Sequence, residues 1–469
     1  MAEKVKENPL GEAPVSRLMV KFAVPSIMAM LVGALYNIVD QLFIGQAVGT
    51  LGNAATNIAF PLSISCIALA LLFGIGGASC FNLSMGRGEK DKAPYFAGNS
   101  LVMLTLSGIV LCAVSQLFLT PMLKLFGSPA DVLPYAEEYV RVTAWGFPFL
   151  ILSTGGGHII RADGSPAMTM VINIVGAVIN TVLDAIFVLC LDMGMAGAAY
   201  ATIIGQIVSA AIVIFYVFRF KTVKLTAEHF AIKAKCVQKI MSIGMASCFN
   251  QLAIMVVQIV LNNLLRKYGA VSEYGESIPI ACAGIVMKVN QVMFSIVIGI
   301  GQGTQPIESY NYGARKYSRV RQAYKMAVIA GAAVSIVAFI FFQLMPRQII
   351  ALFGTGSESY FKFGVRFFRI FLFFTWLVCL QPITATFFTS IGKPVKGIFL
   401  SLTRQILFFL PILLILSYIF GIEGIIYTGP IADALSSVTA ILMAFYEFKD
   451  MKRLEQRGFT DVTEITPSA

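Results

Sequence analysis

The sequence predicts an all-α polytopic membrane protein, with twelve transmembrane helices in two six-helix lobes related by a pseudo-two-fold axis along the membrane normal. Three observations predict it. Of the 469 residues, 57% are apolar and 13% charged, where a soluble domain carries about 25% charged residues. Twelve mostly apolar runs each reach the roughly 20 residues needed to cross a bilayer. The chain also matches itself at a shift of about 227 residues, which divides the twelve runs into two sets of six.

The runs fall at 18–45, 52–82, 95–119, 134–157, 167–190, 195–219, 238–265, 278–307, 322–344, 363–388, 395–420 and 424–447. Short connections rich in Gly, Pro and charge separate them. The opening "MAEKVKENPLGEAPVSRLMV" is polar and mixed in charge. It has no short apolar core before a small-residue cleavage site, so no cleaved signal peptide is expected. Of the 35 Lys and Arg, 25 lie on the N-terminus and the even-numbered connections, and eight on the opposite side. Lys288 and Arg404 remain, inside spans. The positive-inside rule puts both termini in the cytoplasm of a multi-pass plasma-membrane protein. The expected organisation is a cytoplasmic tail at 1–17, an N-lobe at 18–220, a cytoplasmic linker at 221–237, a C-lobe at 238–448 and a second cytoplasmic tail at 449–469. The basic segment 219–239 reads as a cytoplasmic surface helix. The net charge of +11 then follows from topology and attraction to anionic lipid, and no nucleic-acid partner is expected.

The repeat is carried by particular residues. Gly194, Gly197, Tyr200 and Ser209 lie over Gly421, Gly424, Tyr427 and Ser436, and "RADGSP" (161–166) lies over "TSIGKP" (389–394). Gly74, Gly76 and Gly86 lie over Gly301, Gly303 and Gly313. Six spans per half is an even number, so both halves enter the membrane in the same orientation, as in parallel-repeat transporters.

Ionisable residues inside spans are costly and mark function. Asp40, in "ALYNIVDQLFIG", sits roughly 9 Å from the outer end of span 1, counted at 1.5 Å per residue. Asp184 in span 5 reaches the same depth, with Asn180 one turn earlier on the same face. Thr202 in span 6 is roughly 12 Å deep, and Gln206 lies one turn further in. Tyr36 and Asn37 share the face of Asp40. Two carboxylates with oxygen-rich neighbours suit a hard cation or a proton. The C-terminal half does not repeat the pair, since Asp184 shifted by 227 falls on Pro411. That half instead carries Lys288, Asp433 and Arg404 near the midplane. Matched depth suggests a neutralised Lys288–Asp433 pair; otherwise the cluster senses or binds substrate. Glu308, at the inner end of span 8, reads as a structural or gating group, and Pro25 as a bend in span 1 that responds to the ion site. Eight cysteines scattered singly, with no CxxC and no His cluster, read as packing residues, and no cofactor is expected. His158 and His229 have no nucleophile arranged beside them, so no enzyme is expected.

These residues resemble the multidrug and toxic compound extrusion (MATE) family, in its bacterial MepA-like branch. The likeness covers roughly residues 15–450 and rests on "YNIVDQLFIG", "RADGSP", "NTVLD" and "GQGTQPIESYNYGA". It implies two lobes about a central cleft and antiport of drugs or toxic organic cations against H⁺ or Na⁺ by a monomer. Asp40, Asn180, Asp184 and Thr202 match the N-lobe cation site of prokaryotic members. Acids that other branches carry in spans 7 and 10 are missing here. The alternative within the wider superfamily is a flippase of lipid-linked precursors, which wants a cationic cleft. A passive channel would need a continuous polar stripe, and the polar groups here form a local cluster.

Overall fold

The computed structural model describes residues 9–47, 50–126, 128, 130, 132–275, 277–353 and 358–463. Among them no strand occurs, and ten helices are long and apolar enough to cross a membrane. Spans 1, 2 and 3 are Val15–Ala47, Thr50–Gly86 and Ala93–Leu117, and span 6 is Gly194–Val217. Spans 7, 8, 9 and 12 are Ala234–Ala270, Ser277–Gly313, Tyr317–Leu344 and Ile422–Thr463. The helix of span 1 runs unbroken through Pro25.

The fourth span of each half is broken. Span 4 is Leu133–Thr143, a tight turn Ala144–Gly146, then Phe147–Ala162. Span 10 is Glu358–Phe371, then turns, then Leu380–Ser390. Pro148 and Pro382 stand in the first turn of each second piece, where a residue without an N–H starts a helix more readily than it continues one. The fifth span of each half carries a π-helical turn. Span 5 runs Pro166–Asp184 and continues as Ala185–Cys190. Span 11 runs Pro394–Leu402, Thr403–Phe409 and Leu410–Phe420. Such turns are rare and concentrate at functional sites. Here each one adjoins or contains a charged residue, Asp184 in span 5 and Arg404 in span 11. The aligned turns before these two spans share a backbone as well. Gly164 has φ +85° and Gly392 φ +73°, a left-handed conformation that glycine adopts without a Cβ penalty.

The chain divides into two compact units. One comprises residues 21–82 and 90–255, and the other 1–20, 83–89 and 256–469, so far as these are described. Within the first unit, span 2 and span 7 touch backbone to backbone. A Cβ on Gly76 would collide with the Ile240 carbonyl, and one on Gly244 with that of Leu72. Small residues at such crossings replace the hydrophobic drive that lipid does not supply.

The segment after span 6 is not the surface helix that its charge suggested. It is extended, with one short 3₁₀ turn at Ala227–Phe230. Two buried side chains hold it that way. Asp163 is 1% exposed and accepts from the N–H of Lys221 and Thr222 at 2.7 and 2.9 Å, from Thr222 Oγ1 at 2.6 Å and from Tyr216 O–H at 2.8 Å. Asn99 donates to the carbonyls of His229 and Ala231 and accepts from the Lys233 N–H at 2.7 Å. Lys233 also sits over the Tyr95 ring. Backbone groups taken by these side chains are unavailable to a helix.

Candidate cation site

The first unit brings Asp40, Asn180, Asp184 and Thr202 together, as their depths suggested. Asp184 closes the regular part of span 5 and is fully buried, and Asn180 is 2% and Thr202 8% exposed. Asp40 is half-buried, with Oδ1 shielded from solvent. The two carboxyl groups lie side by side within hydrogen-bonding reach. Asn180 Nδ2 donates to Thr202 Oγ1 at 3.2 Å, and the Tyr36 hydroxyl also meets Thr202. The Asn180 amide thereby turns its oxygen away from Thr202.

Asp40 Oδ1, both oxygens of Asp184, Asn180 Oδ1 and Gln206 Oε1 are buried and have no hydrogen-bond donor among the described residues. Four of these acceptors, on Asp40, Asn180 and Asp184, share one small volume, which is unfavourable because each loses its water without a replacement. Two of the groups are also acids. Two like charges about 4 Å apart repel by about 4 kcal/mol at an effective dielectric near 20. A proton or a small hard cation relieves both costs at once.

A cavity of about 110 Å³ continues this cluster along spans 5 and 6, lined by Gly33, Tyr36, Asn173, Thr202, Gln206 and Ser209 among others. That is room for a few water molecules at about 30 Å³ each. Gly33 lines the cavity without a side chain, and a Cβ there would meet nothing within 4 Å.

Tyr139, from the first piece of span 4, stands near this cluster and was missed by sequence reasoning. It lies close enough to feel the charges of both Asp40 and Asp184 and the Tyr36 phenol. A tyrosine near the end of a span is an ordinary interfacial residue, so the sequence gives it no distinguishing signal. The side chain of Asn37 lies outside the described residues.

In the second unit the expected Lys288–Asp433 pair does not form. Asp433, 3% exposed, accepts from Arg404 Nε at 2.6 Å, and the Arg404 guanidinium stands 5.4 Å from the Phe294 ring centre. Depth matched Lys288 to Asp433, but Arg404, within the π-helical turn of span 11, takes Asp433 instead. Lys288 is exposed and has no ion pair or hydrogen bond among the described residues. Glu308 is 2% exposed and accepts from Ser390 Oγ at 2.6 Å.

Comparison with known proteins adds an independent line. The family model described as MatE matches residues 25–186 and 246–419. The multidrug export protein MepA of Staphylococcus haemolyticus is 23% identical over 438 residues, covering 92% of this chain and 94% of its own. The MepA protein of Staphylococcus aureus matches to the same extent, 23% over 438 residues, with the same 92% and 94% coverage. Among solved structures, an outward-facing multidrug resistance MATE family transporter of the MOP superfamily superposes with a TM-score of 0.89. It is 22% identical and covers 96% of this chain and all of its own. That likeness establishes the fold.

Proposed function

Because the chain belongs to the MATE family, a family of membrane transporters, we propose that it is a secondary active multidrug exporter that antiports organic, often cationic, compounds against H⁺ or Na⁺. The observation that carries the ion-coupled part is the set of four buried, unpartnered oxygens on Asp40, Asp184 and Asn180. The relatives named as multidrug export proteins support the export part.

In this reading the lobes are 18–220 and 238–448, joined by the linker 221–237, in a plasma-membrane monomer with cytoplasmic termini. Asp40, Asn180, Asp184 and Thr202 bind the coupling ion, with Tyr36, Tyr139 and Gln206 in support. Loading by a proton removes one carboxylate charge. Loading by Na⁺ screens both in place, with Asn180 Oδ1, Thr202 and water oxygens completing the shell. Either way the local negative charge falls, and spans 1, 5 and 6 can pack more closely. Pro25 supplies a helix position that lacks one backbone hydrogen bond and can bend as they do. The drug and the ion oppose each other through one conformational equilibrium of alternating access.

The flippase alternative is not favoured, since a carboxylate pair is a poor counterpart for a pyrophosphate. Drug-driven transport in proteoliposomes, with an imposed H⁺ or Na⁺ gradient tested separately, decides the matter. Uptake or efflux driven by at least one gradient supports antiport. Drug movement that ignores both gradients refutes it.

A further inference from the structure

Glu308, near the Gly313 end of span 8, is a buried acid outside the carboxylate pair of the first unit. It is 2% exposed, and Ser309, Phe387 and Ser390 beside it are 0% exposed. Ser390 Oγ stands 2.6 Å from Glu308 Oε2. The same Oγ stands 2.8 Å from the Phe387 carbonyl oxygen. A serine hydroxyl has a single proton, and an ionised carboxylate and a carbonyl can only accept. Two acceptors therefore face one proton, and one close approach is left as oxygen against oxygen. A proton on Glu308 removes the conflict. Its Oε2–H donates to Ser390 Oγ, and the Ser390 proton goes to Phe387. Tyr324 does not supply the missing donor. Its hydroxyl meets Thr384 Oγ1 at 2.7 Å, and Thr384 gives its own proton to the Leu380 carbonyl at 2.6 Å, so the Tyr324 proton is spent on Thr384.

No cation bonds to Glu308 among the described residues. From span 9, Arg319 is taken by Asn311 and by the Leu10 and Ala13 carbonyls, and Arg321 by Glu455. Lys325 is exposed, and Lys316, just before that helix, donates to the Gly11 carbonyl. The second piece of span 10 carries no charged residue. Lys393 and Lys396, at the start of span 11, both hold Glu447 of span 12. On the first piece of span 10, Lys362 pairs with Glu273 and Arg366 with Glu423, at the Ser277 end of span 8, and Arg369 is exposed. Glu12 and Arg87 are exposed as well. The phenols nearby, Tyr310 and Tyr312 on its own helix and Tyr324 on span 9, bring no positive charge. A buried charge without a counter-ion is costly, and a titratable group neutralises instead.

We propose that Glu308 is a second proton-binding site, whose bound proton ties span 8 to the end of span 10. The neighbouring Ser309 Oγ donates to the Ser390 carbonyl at 2.7 Å, so adjacent residues of span 8 both hold Ser390. Ser390 is the last residue of span 10, two before the left-handed Gly392 that starts the turn into span 11. Releasing the proton turns the Ser390 hydroxyl toward the carboxylate, frees the Phe387 carbonyl and loosens that joint. The site is unlike the Asp40–Asp184 cluster. It has one acid, and no unpartnered oxygen of Glu308 or Ser390 is left over to ligate Na⁺. It takes a proton alone, and it stands independently of the exporter reading.

The test is infrared spectroscopy of the full-length protein in phosphatidylcholine membranes at neutral pH. The background is Asp40→Asn with Asp184→Asn, which silences the other carboxyl pair. This protein should show the C=O stretch of a protonated carboxyl group, above the amide I band, and Glu308→Gln should remove it. Raising the pH should convert the band reversibly into carboxylate stretches, and the Glu308→Gln protein should show no such conversion. Gln keeps the size of the acid and can donate its N–H to Ser390, so this variant should fold. Ser390→Ala removes the acceptor of the acid proton; the band should persist and move to higher frequency, as loss of a hydrogen bond requires. A Glu308→Gln difference spectrum that loses only carboxylate stretches at neutral pH overturns the proposal. So does a protonated-carboxyl band that Ser390→Ala leaves unmoved, a result that decides the matter even if Glu308→Gln is not recovered. None of these readouts involves drug or transport, so their failure leaves the exporter reading standing.

Discussion

Replacing Arg404 with methionine should destabilise the protein by about 3–5 kcal/mol, because it strands a buried charge. Asp433 is 3% exposed, its Oδ1 receives Arg404 Nε at 2.6 Å, and no other cation bonds to it among the described residues. The Arg404 side chain is itself only 12% exposed. Opposite charges about 4 Å apart attract by about 4 kcal/mol at an effective dielectric near 20, which agrees with the range measured when one partner of a buried pair is removed. Methionine retains most of the apolar volume against Phe294, so the loss reports charge rather than packing. Combining Arg404→Met with Asp433→Leu removes both charges and should return stability to within about 1–2 kcal/mol of wild type. Thermal unfolding in detergent, followed with a thiol-reactive dye, suits the measurement, since Cys282 and Cys379 are buried in the same unit. A single variant as stable as wild type would refute this reasoning, and so would a double variant as unstable as the single one.

Two further outcomes follow from the geometry. Asp40→Asn and Asp184→Asn should each reduce drug resistance in cells to the level of cells without the protein, at normal expression; wild-type resistance in either variant would remove the carboxylate pair from the mechanism. Asn99→Ala should expose the segment at 229–233. It deletes three hydrogen bonds to that backbone, worth about 1 kcal/mol each, so trypsin should cut near Lys233 about a hundredfold faster when opening precedes cleavage. An unchanged cleavage rate would show that this anchor does not limit opening.

Much of the fold was legible because the bilayer imposes it. Apolar run length gave the spans, read without tertiary contacts. The grouping of the two carboxylates was legible for a related reason. Acids in spans are rare enough that depth alone brought Asp40 and Asp184 together, and helical periodicity added Asn180. Direction is what depth cannot supply. Lys288 and Asp433 share a level, yet they point differently, and the π-helical turn at Thr403–Phe409 hands Asp433 to Arg404. An extra residue in a helical turn leaves no mark in a pattern counted at 3.6 residues per turn. Tyr139 escaped because its span is broken at Ala144–Gly146, and its nearness to the carboxylates depends on where the first piece then leans. The extended linker escaped because Asp163 and Asn99, which capture its backbone, are remote from it in sequence.

The central claim is that the ion at Asp40 and Asp184 and the drug compete through one equilibrium. Drug affinity of the purified protein, measured at low and high pH with and without Na⁺, tests it most directly. Loading the site should weaken drug binding, and by reciprocity the drug should weaken ion binding by the same factor; Asp184→Asn should abolish the ion's effect on drug affinity. Drug binding that ignores both pH and Na⁺, or that strengthens when either ion is raised, would contradict the antiport scheme.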